Sequence, residues 1–236
     1  TFLQDVVDYW NGDLPFYERG DPMATREFDR RDLADSLVDG EFLREVQVGN
    51  HYTYYWPTNK TLAAFDDLEI VWGTEQGDPR ESPRHKVIVS LLKRIYSNRG
   101  FSVKTYTGGD DTAGTFDLIA THPKKEHRAI EVETSRPDRS GSPLREDDVL
   151  EDYEKLAQFC EANDAMALWV LESQNGAHHL LDILEEEGYV ADRPARDVQK
   201  YDDITAETDA GTGLDKVTGF GMVLDRTVGD NRYGSL

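Results

Sequence analysis

The chain has 236 residues, with 47 acidic side chains against 26 basic ones, a formal charge of −21 and a single cysteine, Cys160. The length is enough for a sizeable core in one large domain or two small ones. One cysteine excludes an internal disulfide framework and fits a reducing cytoplasm, and no apolar run reaches membrane-spanning length.

Arginine outnumbers lysine, and aspartate and glutamate are spread along the whole chain rather than gathered in a tail. This is the composition of a salt-in halophile, an archaeon in the first place. Acidity normally argues against nucleic-acid binding, because basic residues supply the phosphate contacts. In molar salt the Debye length falls to about 3 Å, so like charges beyond first contact hardly repel. The charge balance therefore neither supports nor excludes a DNA substrate. No signal peptide is visible, and the expected location is cytoplasmic. The chain opens on Thr1, which suggests a piece of a longer polypeptide.

The spacing divides the chain into 1–78, 79–190 and 191–236. In the first part, Phe2 to Trp10 predicts a short helix ended by Asn11-Gly12. Leu33, Leu37 and Val38 recur at helical spacing over 29–38, and Asp39-Gly40 stops that helix. Phe42 to Val46 and Tyr52 to Trp56 flank Gly49-Asn50, the pattern of a β-hairpin. A helix followed by a hairpin is how a winged helix ends, and Arg30, Arg31 and Arg44 with the hairpin tip at 47–51 would then be DNA contacts. The alternative is an α+β packing unit with no ligand. Tyr52, Tyr54, Tyr55 and Trp56 read as hairpin packing rather than base-stacking platforms.

A polar stretch over 73–81 reads as a linker. Ser82 caps the next helix, with Pro83 at its first position, and Ile88, Leu91, Leu92 and Ile95 form one buried stripe. Asn98 to Gly100 ends it; Phe101 to Tyr106 is a strand, and 107–114 a loop. Leu118 to Ala120 and Ala129 to Val132 then read as two short strands joined by a turn at Pro123, and so as antiparallel neighbours. Side chains alternate along a strand, so Glu131 and Glu133 share a face roughly 7 Å apart, and Asp117 can reach the same end of the sheet. Carboxylates converging in this way call for a cation, and oxygen ligands suit Mg²⁺ or Mn²⁺ rather than zinc. The alternative is a surface hairpin of an acidic protein.

After a loop over 136–143, the sequence predicts a helix over 147–162 with Leu150, Tyr153, Leu156, Ala157 and Cys160 inward. A buried strand follows over 166–171, then a helix over 178–187. His178 and His179 are adjacent, so they cannot converge on one ion and read as surface or capping residues. Cys160 reads as packing. From 192 the chain is polar, with one last strand within 217–224.

Phe116-Asp117 followed by Glu131-Val132-Glu133 resembles the paired motif of the PD-(D/E)xK phosphodiesterases, the restriction-endonuclease-like superfamily. The resemblance implies an α/β (α+β) fold, a mixed sheet flanked by helices, here preceded by a winged-helix domain. It also implies a divalent metal on Asp117 and Glu131. Glu133 stands where the family carries lysine, and is expected to bind a second ion or orient a water. Lys155 could supply the missing charge from a displaced position, although the plainer reading of a helical lysine is a solvated one. His85, on the first helix of the domain, is where members often carry an acid or histidine near the metal; a hydrogen-bonded structural histidine is the alternative. Residues 80 to 172 further resemble nuclease-like domains attached to DNA-pumping ATPases of archaeal conjugative elements. The expected function is thus a metal-dependent DNA phosphodiesterase of a halophilic mobile element, with DNA and a DNA-translocating ATPase or parent polypeptide as partners. An inactive nuclease-fold module for DNA binding or docking, and an assembly protein of a halophilic virus, are the competing readings.

Overall fold

A computed structural model of the chain describes residues 2–11, 31–48, 52–65, 82–108, 115–134, 144–190, 213–221 and 223. Arg30, the linker at 73–81, the loop at 136–143, the hairpin tip at 49–51 and the polar stretch at 192–212 lie outside them. The described residues fall into two compact units, one running to Ile95 and one starting at Tyr96.

The first unit holds α1 (Phe2–Asn11), α2 (Arg31–Asp39), β1 (Leu43–Val48), β2 (Tyr52–Pro57), α3 (Asn59–Ala64) and most of α4 (Pro83–Asn98). β1 and β2 pair antiparallel from Leu43↔Pro57 to Val48↔Tyr52, the hairpin that the alternation predicts. Its aromatic residues are packing. Phe2 meets Tyr55 edge-on at 6.0 Å, Trp10 meets Trp56 at 4.7 Å, and the Trp10 Nε1 donates to Tyr55 O at 2.8 Å. The six-residue α3 carries no periodic signal of its own. Thr58 Oγ1 accepts from the Lys60 N–H at its start, and Thr61 Oγ1 donates to Phe42 O. Ser82 caps α4 as predicted, its Oγ accepting from the His85 N–H at 3.1 Å. Val87, Ile88, Leu91, Leu92 and Ile95 are fully buried along it.

The second unit is a five-stranded mixed sheet flanked by helices. Gly100, at φ +85°, turns the chain out of α4, a conformation that costs glycine least. β3 (Ser102–Gly108), β4 (Thr115–Thr121) and β5 (His127–Glu133) form an antiparallel meander. Helix α5 (Glu146–Asn163) carries the chain back to β6 (Ala165–Leu171), parallel to β5, and α6 (Gln174–Glu186) does the same for β7 (Lys216–Gly219). The spatial order is β3-β4-β5-β6-β7. Strands β4 and β5 run longer than their apolar centres suggest, because the polar ends keep the ladder pairing.

Ala129, Ala167, Trp169, Leu171 and Val217 of the sheet share one core with Val149, Tyr153, Leu156 and Cys160 of α5 and with Ala177, Leu180, Leu181 and Leu184 of α6. Fully burying each larger apolar side chain here contributes about 1.5–3 kcal/mol. Helix α6 starts at Gln174, earlier than its apolar stripe implies, because Ser173 caps it by accepting from the Gly176 N–H. His178 is buried rather than on the surface, and His179 Nδ1 accepts from the Leu144 N–H at 3.1 Å. The helix turns His178 inward beside Ala177 and Leu181.

The lead into β7 is locked to its neighbours. Trp169 Nε1 donates to Gly213 O at 2.8 Å, and Asp215 exchanges two hydrogen bonds with the backbone of Ala167. Gly213 lies so close to α5 that a Cβ there would meet Tyr153 O at 2.0 Å. Among the described residues no helix is long and apolar enough to cross a membrane.

Candidate functional site

The site forms where the β-ladder is interrupted. Strands β4 and β5 pair through Leu118↔Ile130, Ile119↔Ala129 and Ala120↔Arg128. One residue further on, the Asp117 carboxylate takes the place of a backbone acceptor: its Oδ2 accepts from the Val132 N–H at 2.8 Å. On the other side, the β3–β4 pairs pass from Thr105↔Leu118 to Thr107↔Phe116, skipping Asp117 and Tyr106, which stands at φ +51°. The register is the same on both sides of the gap, so ordinary strand alternation sets Asp117 opposite the Phe116 and Leu118 face. Asp117 is 7% exposed.

Glu131 lies on the central strand β5, in register with Trp169 of β6, and is 4% exposed. Its Oε1 stands 2.6 Å from the Nζ of Lys155 on α5. The same ammonium is 2.6 Å from Asp152 Oδ1, one helical turn earlier, and 5.2 Å from the centre of the Phe116 ring. Lys155 is therefore not a solvated helical lysine: its side chain is 13% exposed. The (i, i+3) spacing puts Asp152 and Lys155 on one face of α5.

The electrostatics follow from this crowding. Burial first, and the Asp117 charge second, push the Glu131 carboxyl well above its ordinary value, with Lys155 pulling the other way. Burial likewise raises Asp152 against the pull of Lys155. For Lys155, burial alone would favour the neutral amine, but Glu131 and Asp152 together outweigh it and hold the ammonium above its usual range. Three carboxyl groups against one ammonium are an excess of acidic groups that resists full ionisation inside the protein.

That excess, with two oxygen donors on adjacent strands, fits a hard divalent cation. Among the described residues no three acidic, histidine or cysteine side chains are gathered as a ready-made cage. A cation here would rest on Asp117 and Glu131 with backbone oxygen and water, the way magnesium is commonly held. Glu133 stands two residues beyond Glu131, partly buried, and its backbone O accepts from the Glu172 N–H at 3.0 Å.

Of the residues singled out from the sequence, Asp117, Glu131 and Lys155 come together. His85 is partly buried in the first turn of α4, in the first unit. Arg44 is exposed on β1 beside its cross-strand partner Trp56. Arg31 opens α2. Cys160 belongs to the core, where burial pushes its thiol up to about 12, so it is packing and not a nucleophile. Asp152 was not anticipated, although its helical spacing from Lys155 is written in the sequence.

A scan of protein-family models, a search of curated proteins and a search of solved structures each returned no match for this chain.

Proposed function

We propose that this chain is a metal-dependent DNA phosphodiesterase of the PD-(D/E)xK kind. The observation that carries the reading is the approach of Lys155 to Glu131, beside an Asp117 that sits at a break in the ladder. Glu133 cannot bring positive charge to a phosphate, and Lys155 supplies an ammonium at the same carboxylates from the following helix. The element order α4-β3-β4-β5-α5-β6, a helix, a three-stranded meander, a crossover helix and a parallel strand, is the order that the resemblance calls for. The winged-helix reading of the first unit, with Arg44 toward DNA, is part of the same proposal, as are the halophilic source and the mobile-element ATPase partner.

Asp117 and Glu131, with the Val132 carbonyl, would hold Mg²⁺ or Mn²⁺. When bound, the ion would polarise the scissile phosphate and lower the pKa of a coordinated water. The Lys155 ammonium would then lend its positive charge to the phosphate oxygens, where negative charge grows during attack. Burial of the site strengthens that attraction by excluding water.

One observation favours a second reading. The Lys155 ammonium already neutralises Glu131 directly, so the pair stands without a cation, as it would in a nuclease fold retained for DNA binding or docking.

The test is cleavage of supercoiled plasmid in molar KCl with Mn²⁺. The wild type should nick it, and Asp117→Asn and Lys155→Ala should not. No cleavage with a salt-tolerant shift of duplex DNA would mean the docking module. Neither would leave an assembly protein.

A further inference from the structure

We propose that Asp152 is the positioning residue of this site: it fixes the Lys155 ammonium beside Glu131 and retains it there when a divalent cation takes up Glu131. The second half rests on the phosphodiesterase reading, and the first does not.

Ion pairs at (i, i+3) on a helix surface are usually solvated and hold nothing in place. This one differs in three respects. Its ends are 13% and 25% exposed, and the contact is 2.6 Å. Burial pushes the Asp152 carboxyl up, so folding sets this group where its charged form, without the lysine, is disfavoured. The same Nζ is also 2.6 Å from a strand carboxylate. Asp152 and Lys155 ride on one helix, and α5 is itself pressed to the lead into β7 at Tyr153, the residue after Asp152. Asp152 therefore moves with the lysine, whereas Glu131 belongs to the sheet.

The consequence appears when the site is loaded. A lysine held by Glu131 alone would lose its partner to the incoming cation, be repelled by it, and turn its four-carbon stem to solvent. With Asp152 on the same helical face the ammonium keeps one carboxylate. In the metal-free site the ammonium donates to Asp152 Oδ1 at 2.6 Å and stands 2.6 Å from Glu131 Oε1. Released from Glu131, it would keep the Asp152 bond and turn its charge toward a phosphate oxygen. Asp152 touches no reacting atom in this scheme and acts through Lys155.

The experiment is ¹⁵N NMR of the lysine ammonium groups, with the Lys155 signal assigned by its absence in Lys155→Met. In the metal-free wild type the signal should be resolved, because its hydrogens exchange slowly. Asp152→Asn keeps the shape and removes the charge, and should broaden the signal beyond detection. Glu161→Gln, on an exposed position of the same helix, should leave it unchanged. A Lys155 signal equally sharp in Asp152→Asn would overturn the proposal, as would its absence from the wild type. If Asp152→Asn does not fold by circular dichroism, Asp152→Ser is read in its place. With Mg²⁺ added, the wild-type signal should shift and persist; its disappearance would overturn the retention half. A spectrum that Mg²⁺ does not change anywhere would instead defeat the phosphodiesterase reading and leave the metal-free result standing. In an active preparation, Asp152→Asn should lower kcat by about 10–100-fold, the range for residues that orient a functional group. KM should not change, and Asp152→Glu should restore part of the rate. An unchanged kcat would overturn the positioning role.

Discussion

Glu131 and Lys155 join strand β5 to helix α5 by a contact of 2.6 Å, with both side chains almost entirely out of solvent. A buried ion pair of this kind is weak evidence for stability, because removing two charges from water costs about as much as their attraction returns. Its value lies in placement: it brings a cation to the end of the meander where Asp117 leaves the ladder.

Breaking the pair should be expensive. Lys155→Ala leaves Glu131 and Asp152 facing each other without a cation, and the metal-free protein should lose about 3–5 kcal/mol, the usual cost of leaving a buried charge uncompensated. Mg²⁺ or Mn²⁺ should then stabilise the variant more than it does the wild type. Denaturant unfolding of both proteins, with and without metal, measures this. A variant as stable as the wild type would mean that the pair is not buried in solution.

Divalent metal should stabilise the wild type through linkage of binding to folding, by about 2.7 kcal/mol at a hundred times the dissociation constant, and so raise its melting temperature. Asp117→Asn should abolish that rise while its side-chain oxygen still accepts from the Val132 N–H. Melting curves in molar KCl, with and without Mn²⁺, decide the point. Identical metal responses in the two proteins would remove Asp117 from the cation site.

The pH dependence has a defined sign. Glu131 is raised in the folded protein, by burial and then by Asp117, so folding favours its protonated form. The stability linked to it is complete below the unfolded carboxyl range and lost as pH rises through the folded value. The metal-free wild type should therefore gain on Glu131→Gln as pH falls from neutral into the carboxylate range. The Asp152 shift acts in both proteins and cancels from the difference. A melting difference that stays flat across this window contradicts the assignment.

Gly213→Ala should destabilise the second unit by about 1–3 kcal/mol or more, as overpacking against backbone does. The new methyl would sit 2.0 Å from Tyr153 O, so either α5 or the lead into β7 must shift. Gly219→Ala is the control, since its Cβ would meet nothing within 4 Å. Equal stabilities of the two variants would refute the close approach.

The −21 charge predicts salt dependence. Self-repulsion is unscreened at low ionic strength, and the chain should unfold or loosen as KCl is lowered from molar concentrations. A melting temperature that does not change with salt would defeat the halophile reading.

Much of this was legible along the chain. The stripe of Ile88, Leu91, Leu92 and Ile95 behind Ser82 and Pro83, the alternation around Gly49-Asn50 and the apolar run over 166–171 each state a period and a stop, and these are local matters of backbone geometry and burial. The acids at 117 and 131 were also legible, because two short strands about a turn must bring their ends together. The length of β4 and β5 was not, since their polar ends are held by partner strands. Nor was α3, whose six residues are too few to carry a period.

What only the tertiary structure decided is how α5 is rotated against the sheet. The sequence places Asp152 and Lys155 one turn apart, and nothing local says whether that face meets water or Glu131. Packing decides it: Val149, Tyr153, Leu156 and Cys160 commit the helix to the core shared with Trp169 and α6, and Gly213 holds Tyr153 at closest approach. With that stripe inward, Asp152 and Lys155 fall at its margin, over the point where Asp117 interrupts the ladder. A lysine that composition alone would assign to solvent is thereby placed between a buried carboxylate, Glu131, and a half-buried one, Asp152.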